Sequence, residues 1–376
     1  MKQPETTNQL TLNDRKKGAF WGAAIGDAMG GPVECSHFRR IQKQFPNGVQ
    51  GLVPYDHRSM LASRFAQEGG PFFPGYALHG NAGSVTDDTF CRKDMLKFFL
   101  ATKPPRTPEM LAQWLIENGE LDTQWPAWMV RALHWVKDGK VSAAHCGDTF
   151  KQGGGIGWWS PIGMIYAGQP QKAAEVVRTL CAIWKAPLER DFAASVVSGV
   201  AAACGGGNFD EIVDAMLVPC GSCARALLER AIRIANQAEN TWDLAEKLYQ
   251  QCLMAETSLA LDVCPEDPPT DAQAPLPPIH PCVEYTDEEY TTCYWAEQIP
   301  LALAAFVFAK GSIEAIPICV NLGRDCDTTA TTVGAWVGGL HGMSGLPQEW
   351  VDTVRKANRK EMDLDALAES LCALPA

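Results

Sequence analysis

The stretch GAFWGAAIGDAMGGPVE places glycine at positions 18, 22, 26 and 30. Residues four apart share one face of an α-helix. Each glycine costs a helix interior about 1 kcal/mol relative to alanine, so four on one face are kept only where packing offsets that cost. A strip without side chains is a groove in which a second backbone can lie almost in contact. Gly334 and Gly338 repeat the spacing late in the chain, within TTATTVGAWVGGLHG. The expectation is a pair of glycine-faced helices packed directly on one another.

Helical signals dominate the remainder. Thr107-Pro108-Glu109 reads as N-cap, first-turn proline and acidic first turn, and that helix stops near Asn118-Gly119. Pro170 opens a second helix through KAAEVVRTLCAIW, Asn208 or Asp210 caps a third, and Thr241 caps TWDLAEKLYQQCLMA. YWAEQIPLALAAFVFAKG is a long apolar helix with Pro300 early in it, and PQEWVDTVRKANRK and DLDALAESLCAL supply two more. Period-2 strand patterns are scarce and no fixed-period repeat is present. The fold expected is one all-α domain over residues 1–376. The proline-rich segment 262–285 breaks the pattern and is expected to be an ordered loop over the core or a lid.

Of the 376 residues, 46% are hydrophobic and 20% charged, the balance of a soluble globular chain. No run of about 20 apolar residues offers a membrane span. The opening MKQPETTNQLTLNDRKK has no apolar h-region, so a cytoplasmic protein without a membrane partner is expected. A net charge of −12 argues against general binding to a nucleic-acid backbone, which needs basic patches. The same charge repels an anionic substrate unless divalent cations intervene. Of the 14 cysteines only Cys220 and Cys223 form a CxxC, and nothing completes a zinc set. Reduced, mostly buried thiols are the expectation.

Two segments concentrate hard oxygen donors. GSVTDDTFCRKDMLKFFLA sets Thr86, Asp87, Asp88 and Thr89 ahead of an apolar helical stretch. GRDCDTT sets Asp325, Asp327, Thr328 and Thr329 ahead of the glycine-spaced one. A helix N-cap needs one such side chain and an acidic first turn suits the macrodipole, yet each mouth carries two carboxylates and two hydroxyls. Two acidic mouths that face each other gather four carboxylates, which repel strongly without a cation. All-oxygen sets suit Mg²⁺ or Mn²⁺, less so Ca²⁺, rather than zinc. A pair of ions can hold adjacent oxygens of a substrate. Cys326, between Asp325 and Asp327, lacks the electropositive surroundings that a nucleophilic thiolate needs. Asp27 beside the glycine strip reads most simply as a core carboxylate satisfied by backbone donors. Glu34, past the break at Gly31-Pro32, has the freedom to face a pocket.

Taken in order, GAAIGDAMGGPVE, TDDT and NLGRDCDTTATTVGAWVGGLHG resemble the ADP-ribosylglycohydrolase family, which includes the dinitrogenase-reductase-activating glycohydrolase and the ADP-ribosyl-acceptor hydrolases. The resemblance runs from about Gly18 to about Gly342. It implies a compact, orthogonal all-α helix bundle with a binuclear centre of two Mg²⁺ or Mn²⁺ ions. Carried across by motif, Thr86, Asp87, Asp88, Asp325, Asp327 and Thr328 would be the metal ligands. Glu34, Asp87 and Asp325 would serve catalysis, and Gly323 would lie at the substrate. Two departures stand out. Arg324 takes the place before the first aspartate where many members have glycine or another small residue. The stretch GGGIGWWSPIGMIYAG, residues 153–168, lacks the asparagine and arginine of the family's GNGAAMR-like segment. Its Gly154, Gly155, Trp158 and Trp159 are the remaining substrate-binding candidates, the tryptophans either stacking on a ring of the substrate or packing in the core. Asp148, just upstream, is a further candidate acid or base.

What the resemblance implies is hydrolysis of the glycosidic bond at the anomeric carbon of ribose, in an ADP-ribosylated protein or a small ADP-ribosyl compound. Two alternatives stay open. The altered 153–168 segment suggests a small free riboside or nucleotide-sugar as substrate. A non-catalytic, crystallin-like or binding member is the other, and the retained aspartates argue against it.

Overall fold

The computed structural model describes residues 10–55, 81–125, 127–148, 155–252 and 295–374. The proline-rich segment 262–285 and Gly154 lie outside the described residues. In chain order the helices are α1 (Leu12–Gly30), α2 (Phe38–Gln44), α3 (Asp87–Ala101), α4 (Pro108–Asn118), α5 (Leu121–Gln124) and α6 (Ala127–Lys137). They continue through α7 (Ser160–Ile165), α8 (Pro170–Leu180), α9 (Pro187–Cys204), α10 (Phe209–Leu217), α11 (Ser222–Gln237) and α12 (Thr241–Gln251). The set ends with α13 (Trp295–Phe308), α14 (Ala315–Asn321), α15 (Cys326–His341), α16 (Gln348–Asn358) and α17 (Leu364–Cys372). Strand structure among the described residues is one antiparallel ribbon of β1 (Ser36–His37) and β2 (Gly323–Arg324), with Ser36 opposite Arg324. The all-α expectation holds, and among the described residues no helix is long and apolar enough to cross a membrane.

Local chemistry explains the boundaries. Thr107 caps α4 by accepting from the Met110 N–H at 3.2 Å. Asn208, not Asp210, caps α10, in a reciprocal box with Glu211. The cap of α12 is Asn240 rather than Thr241, because its Oδ1 accepts from the N–H groups of Trp242 (3.0 Å) and Asp243 (3.1 Å). Thr241 thereby becomes the first helical residue. Pro300 sits inside α13.

The centre of the molecule is the antiparallel pair α1 and α15. Every residue from Gly18 to Gly30 and from Cys326 to Gly339 is buried, as befits helices enclosed on all sides. A Cβ on Gly22 would stand 2.1 Å from the Gly334 carbonyl oxygen, and one on Gly334 would stand 2.0 Å from the Gly22 oxygen. Gly18 and Gly338 oppose each other in the same way, at 2.2 and 1.9 Å. Gly26 faces Ala330 and Gly30 faces Asp327. Carbonyl oxygens occupy the space of absent side chains, a geometry in which glycine Cα–H groups point at C=O acceptors. The strip thus runs as far as the first turn of α15.

Candidate metal centre

Three separate devices bring the acidic side chains to the joint end of α1 and α15. The first is Asp27 on α1. Its Oδ1 accepts the Thr86 N–H at 3.0 Å and its Oδ2 accepts the Thr89 N–H at 3.0 Å, so one buried carboxylate caps α3 from outside. The Thr89 hydroxyl donates to Oδ2 of the same carboxylate, and Thr86 Oγ1 lies 2.7 Å from its Oδ1. This is the backbone-donor arrangement expected for Asp27. The second device is Asn358 at the end of α16. Its side chain accepts from the Val85 N–H at 3.1 Å and donates to the Gly83 carbonyl at 2.9 Å, which fixes the approach to Thr86. The third is the ribbon. The Cys35 N–H donates to the Arg324 carbonyl at 2.8 Å, which sets Glu34 beside the turn that carries Asp325.

Two carboxylate clusters result. Glu34, Asp325 and Asp327 form one, and Asp87, Asp88 and Asp327 form the other; within each, one oxygen per residue lies within 4.8 Å of the others. Asp327 belongs to both. Threonine hydroxyls tie the halves together. Thr328 Oγ1 donates to Asp88 Oδ2 at 2.8 Å, and Thr86 Oγ1 lies 2.9 Å from Asp327 Oδ2. Asp88 Oδ1 is buried with no hydrogen-bond partner among the described residues. An ionised oxygen left bare in the interior is costly, and a hard cation would satisfy it. The donor set is all oxygen, without histidine or cysteine, so it fits Mg²⁺, Mn²⁺ or Ca²⁺ and not zinc.

The charges agree with this. Burial, and then the Asp327 carboxylate, push Asp87, Asp88 and Asp325 well above the usual carboxylate range. Asp327 is raised by burial against the pull of its hydrogen bonds, the one with Asp325 foremost. Asp27 is pushed to about 6 by burial and by Asp327. A cation placed among such raised carboxyls would displace the protons that burial and mutual repulsion favour.

The candidate ligands Thr86, Asp87, Asp88, Asp325, Asp327 and Thr328 therefore lie together, and Glu34 joins them. Glu34 and Asp87 are half-buried, while the other carboxylates of the clusters are buried. The turn that carries Trp158 and Trp159 packs on the site, since a Cβ on Gly157 would stand 2.9 Å from Asp88 Oδ1, but the two side chains turn inward. Trp158 and Trp159 are 1% and 2% exposed. Their rings pack against Trp125 and Trp184 in the core, with centroids at 4.8 and 6.0 Å, so they present no open face for stacking. Gly155 has φ +82°, and a Cβ there would strike the Trp158 ring. Gly323 has φ +74° and lies against Ser36, where a Cβ would stand 2.2 Å from the Ser36 carbonyl oxygen. Asp148 is engaged by Arg190 and His145, each at 2.8 Å, and stands outside both clusters. Cys326 is buried and its thiol is pushed up by burial and by Asp327, the reverse of the surroundings that favour a thiolate. Cys220 and Cys223 are free, one buried and one exposed.

Some supporting residues escaped the sequence reading. Gln298 donates to Asp325 Oδ2. Glu297, its neighbour, takes the Arg324 guanidinium at 2.9 Å in a buried ion pair. The adjacent polar pair inside the apolar WAEQIPLALAAFVF was the available signal. Arg324 has φ +63°, the left-handed region that glycine enters freely. Tyr55 was invisible in sequence; a Cβ on Gly31 would stand 1.9 Å from its hydroxyl oxygen.

Comparisons with known proteins agree with the motifs. The chain matches the family model described as ADP-ribosylglycohydrolase over residues 8–376. It is 22% identical over 356 residues to an uncharacterized protein of Archaeoglobus fulgidus, covering 92% of each chain. It is 22% identical over 353 residues to the uncharacterized protein YegU of Escherichia coli (strain K12), covering 89% of each. It is 32% identical over 112 residues to the ADP-ribosylarginine hydrolase Tri1 of Pseudomonas putida (strain GB-1), a stretch that spans 28% of this chain and 30% of that protein. Among solved structures, a chain of an ADP-ribosylglycohydrolase-related protein complex shares the fold with a TM-score of 0.55 at 18% identity, covering 97% of this chain and 99% of that one. With a family match along nearly its whole length and a fold shared to the same extent, the chain belongs to the ADP-ribosylglycohydrolase family.

Proposed function

We propose that this protein hydrolyses the glycosidic bond at the anomeric carbon of ribose in ADP-ribosylated substrates, with the help of two divalent cations, Mg²⁺ or Mn²⁺. The observation that carries the reading is the membership of Asp327 in both carboxylate clusters. One carboxylate shared by two sets would serve both groups of ligands. Thr86, Asp87, Asp88, Asp325, Asp327, Thr328 and Glu34 would hold the pair. Bound there, the ions would offset the gathered negative charge, take ribose hydroxyls and make a water easier to deprotonate.

Exposure sorts the roles of the chain's own groups. Asp88, Asp325 and Asp327 are buried and suit holding. Glu34 and Asp87 are only half-buried and suit proton transfer to the leaving group or from the water. Asp325, a catalytic candidate by motif, accepts from Gln298 in the interior and is assigned to holding. Positive charge develops on the ribose ring in the transition state, and the surrounding carboxylates favour it.

The relative named ADP-ribosylarginine hydrolase makes an arginine-linked substrate the first to try. Purified protein is incubated with ADP-ribosyl-arginine, ADP-ribosyl-serine and free nucleosides, each with Mg²⁺, Mn²⁺ or EDTA. Release of ADP-ribose that needs the ion and disappears in Asp327→Asn is expected. Turnover of free nucleosides alone would assign the chain to small ribosides instead. Undiminished hydrolysis by Asp327→Asn would falsify the metal-centred reading.

A further inference from the structure

Thr86 Oγ1 sits between two carboxylates, 2.7 Å from Asp27 Oδ1 and 2.9 Å from Asp327 Oδ2, and it accepts the Asp88 N–H at 3.3 Å. A hydroxyl has one hydrogen and two lone pairs. One lone pair is taken by the Asp88 N–H. The hydrogen can go to Asp27 or to Asp327, and the two choices have opposite consequences for a metal. If it goes to Asp327, the last lone pair faces the Asp27 carboxylate and none is left for a cation. If it goes to Asp27, the last lone pair lies on the Asp327 side. The 2.9 Å spacing from Thr86 Oγ1 to Asp327 Oδ2 then equals the edge, about 2.9 Å, of an octahedron with metal–oxygen bonds of about 2.0–2.1 Å.

Asp27 is held ready to take that hydrogen. It is fully buried on the glycine-faced helix, and the Thr86 and Thr89 N–H groups fix its plane. Thr89 Oγ1 accepts from Arg92 Nη2 at 3.0 Å, so its own hydrogen is committed to Asp27 Oδ2. Arg92 is itself fully buried, stacked over Phe20 at 5.2 Å, and brings positive charge to this side of the carboxylates. The chain Arg92–Thr89–Asp27–Thr86–Asp327 is thus a continuous line of polar contacts from a buried cation to the shared carboxylate.

We propose that Asp27 is a positioning residue of the metal centre: it takes the hydroxyl hydrogen of Thr86 and so turns a lone pair of that oxygen toward the ion shared with Asp327. This rests on the metal-centred reading above. Thr89 and Arg92 orient Asp27 for the task. Outer partners that orient ligands in this way typically change metal affinity by about 10–100-fold when removed.

The test is Mn²⁺ binding to the full chain, followed by calorimetry and by the electron paramagnetic resonance of bound Mn²⁺, with thermal melts to confirm folding. Asp27→Asn keeps the shape of the side chain but sets an amide N–H₂ among hydrogen-bond donors. It is expected to weaken one Mn²⁺ site at least ten-fold and to alter its resonance signal. Thr89→Val should weaken the same site several-fold, and Thr89→Ser should restore it, a rescue that loss of packing alone would not give. Unchanged Mn²⁺ affinity in folded Asp27→Asn, or a Thr89→Val defect that serine fails to repair, overturns the proposal while leaving the metal centre in place. If Asp27→Asn does not fold, the Thr89 pair decides. Absence of Mn²⁺ binding in the unaltered protein removes the metal centre itself, and this proposal with it.

Discussion

Gly30 and Asp327 meet backbone to backbone: a Cβ on Gly30 would stand 2.4 Å from the Asp327 Cα and 2.5 Å from its N. The last rung of the glycine strip is the floor beneath the carboxylate common to both clusters. Packing of the central helix pair and placement of the shared carboxylate are one event at this rung. Three rungs away, Gly18 meets Gly338, where no ligand is involved.

That contrast separates stability from metal binding. Gly22→Ala forces a methyl into the Gly334 carbonyl and should destabilise by about 1–3 kcal/mol or more, since neither backbone can yield cheaply. Once folded at low temperature it should bind Mn²⁺ as the unaltered chain does. Gly30→Ala should lower the melting temperature and weaken Mn²⁺ together. Gly51→Ala is the control, because its nearest neighbour would be Trp350 Nε1 at 3.5 Å; a change within about 0.5 kcal/mol is expected. Equal behaviour of the Gly22 and Gly30 variants toward Mn²⁺ would remove the coupling.

Sharing of Asp327 predicts an asymmetry in stoichiometry. Asp327→Asn should abolish binding of both ions, whereas Asp87→Asn, which touches one cluster, should leave the other ion in place. Calorimetric titration with Mn²⁺ reads this directly. Loss of a single ion in Asp327→Asn would show that the clusters are independent.

The raised carboxyls give a signed pH dependence. Asp27, Asp87, Asp88, Asp325 and Asp327 all have folded-state values above the ordinary range. A raised carboxyl stabilises the metal-free fold while it is protonated, and that contribution fades as pH rises. For Asp27 the window opens at the ordinary value of 3.8 and closes at about 6. Cations must displace the protons held on the ligands, so Mn²⁺ should raise the melting temperature more at about pH 8 than at about pH 5, with protons released on binding. Melts in EDTA and in Mn²⁺ across that range test it; an increment that does not change with pH counts against the assignment.

At Arg324 two effects oppose each other. Its φ of +63° costs an L-residue about 1–2 kcal/mol, which glycine would recover. Its buried bond to Glu297 is the other term, and removing one partner of a buried pair typically costs about 3–5 kcal/mol. The second is larger, so Arg324→Gly should destabilise by roughly 2 kcal/mol despite relieving the backbone. Adding Glu297→Gln should restore part of the loss. A stabilised Arg324→Gly would show that the pair contributes little.

Much of this was legible in the chain because it is local. The period of four in Gly18, Gly22, Gly26 and Gly30 expresses a contact that repeats once per helical turn. The doubled carboxylates and threonines at 86–89 and 325–329 exceed what a helix cap needs, and that excess is visible without a structure. Asn208 was one of the two caps read from sequence and Asn240 lies one residue from the other reading, Thr241, since neighbouring polar side chains compete for the same N–H groups.

The amino-acid sequence by itself determined the helical class, the glycine-faced helices and the oxygen chemistry of the two acidic segments, because each is set by residue type and short spacing. Only the tertiary structure decided that Asp327 serves both clusters, that a two-residue ribbon delivers Glu34 to Asp325, and that Trp158 and Trp159 belong to the core. Those relationships join distant parts of the chain: Thr86 and Asp327, in hydrogen-bond contact, are 241 residues apart. At such separations no local propensity operates. The partner is chosen by which helices bury their faces together, and here by the absence of side chains along α1 and α15.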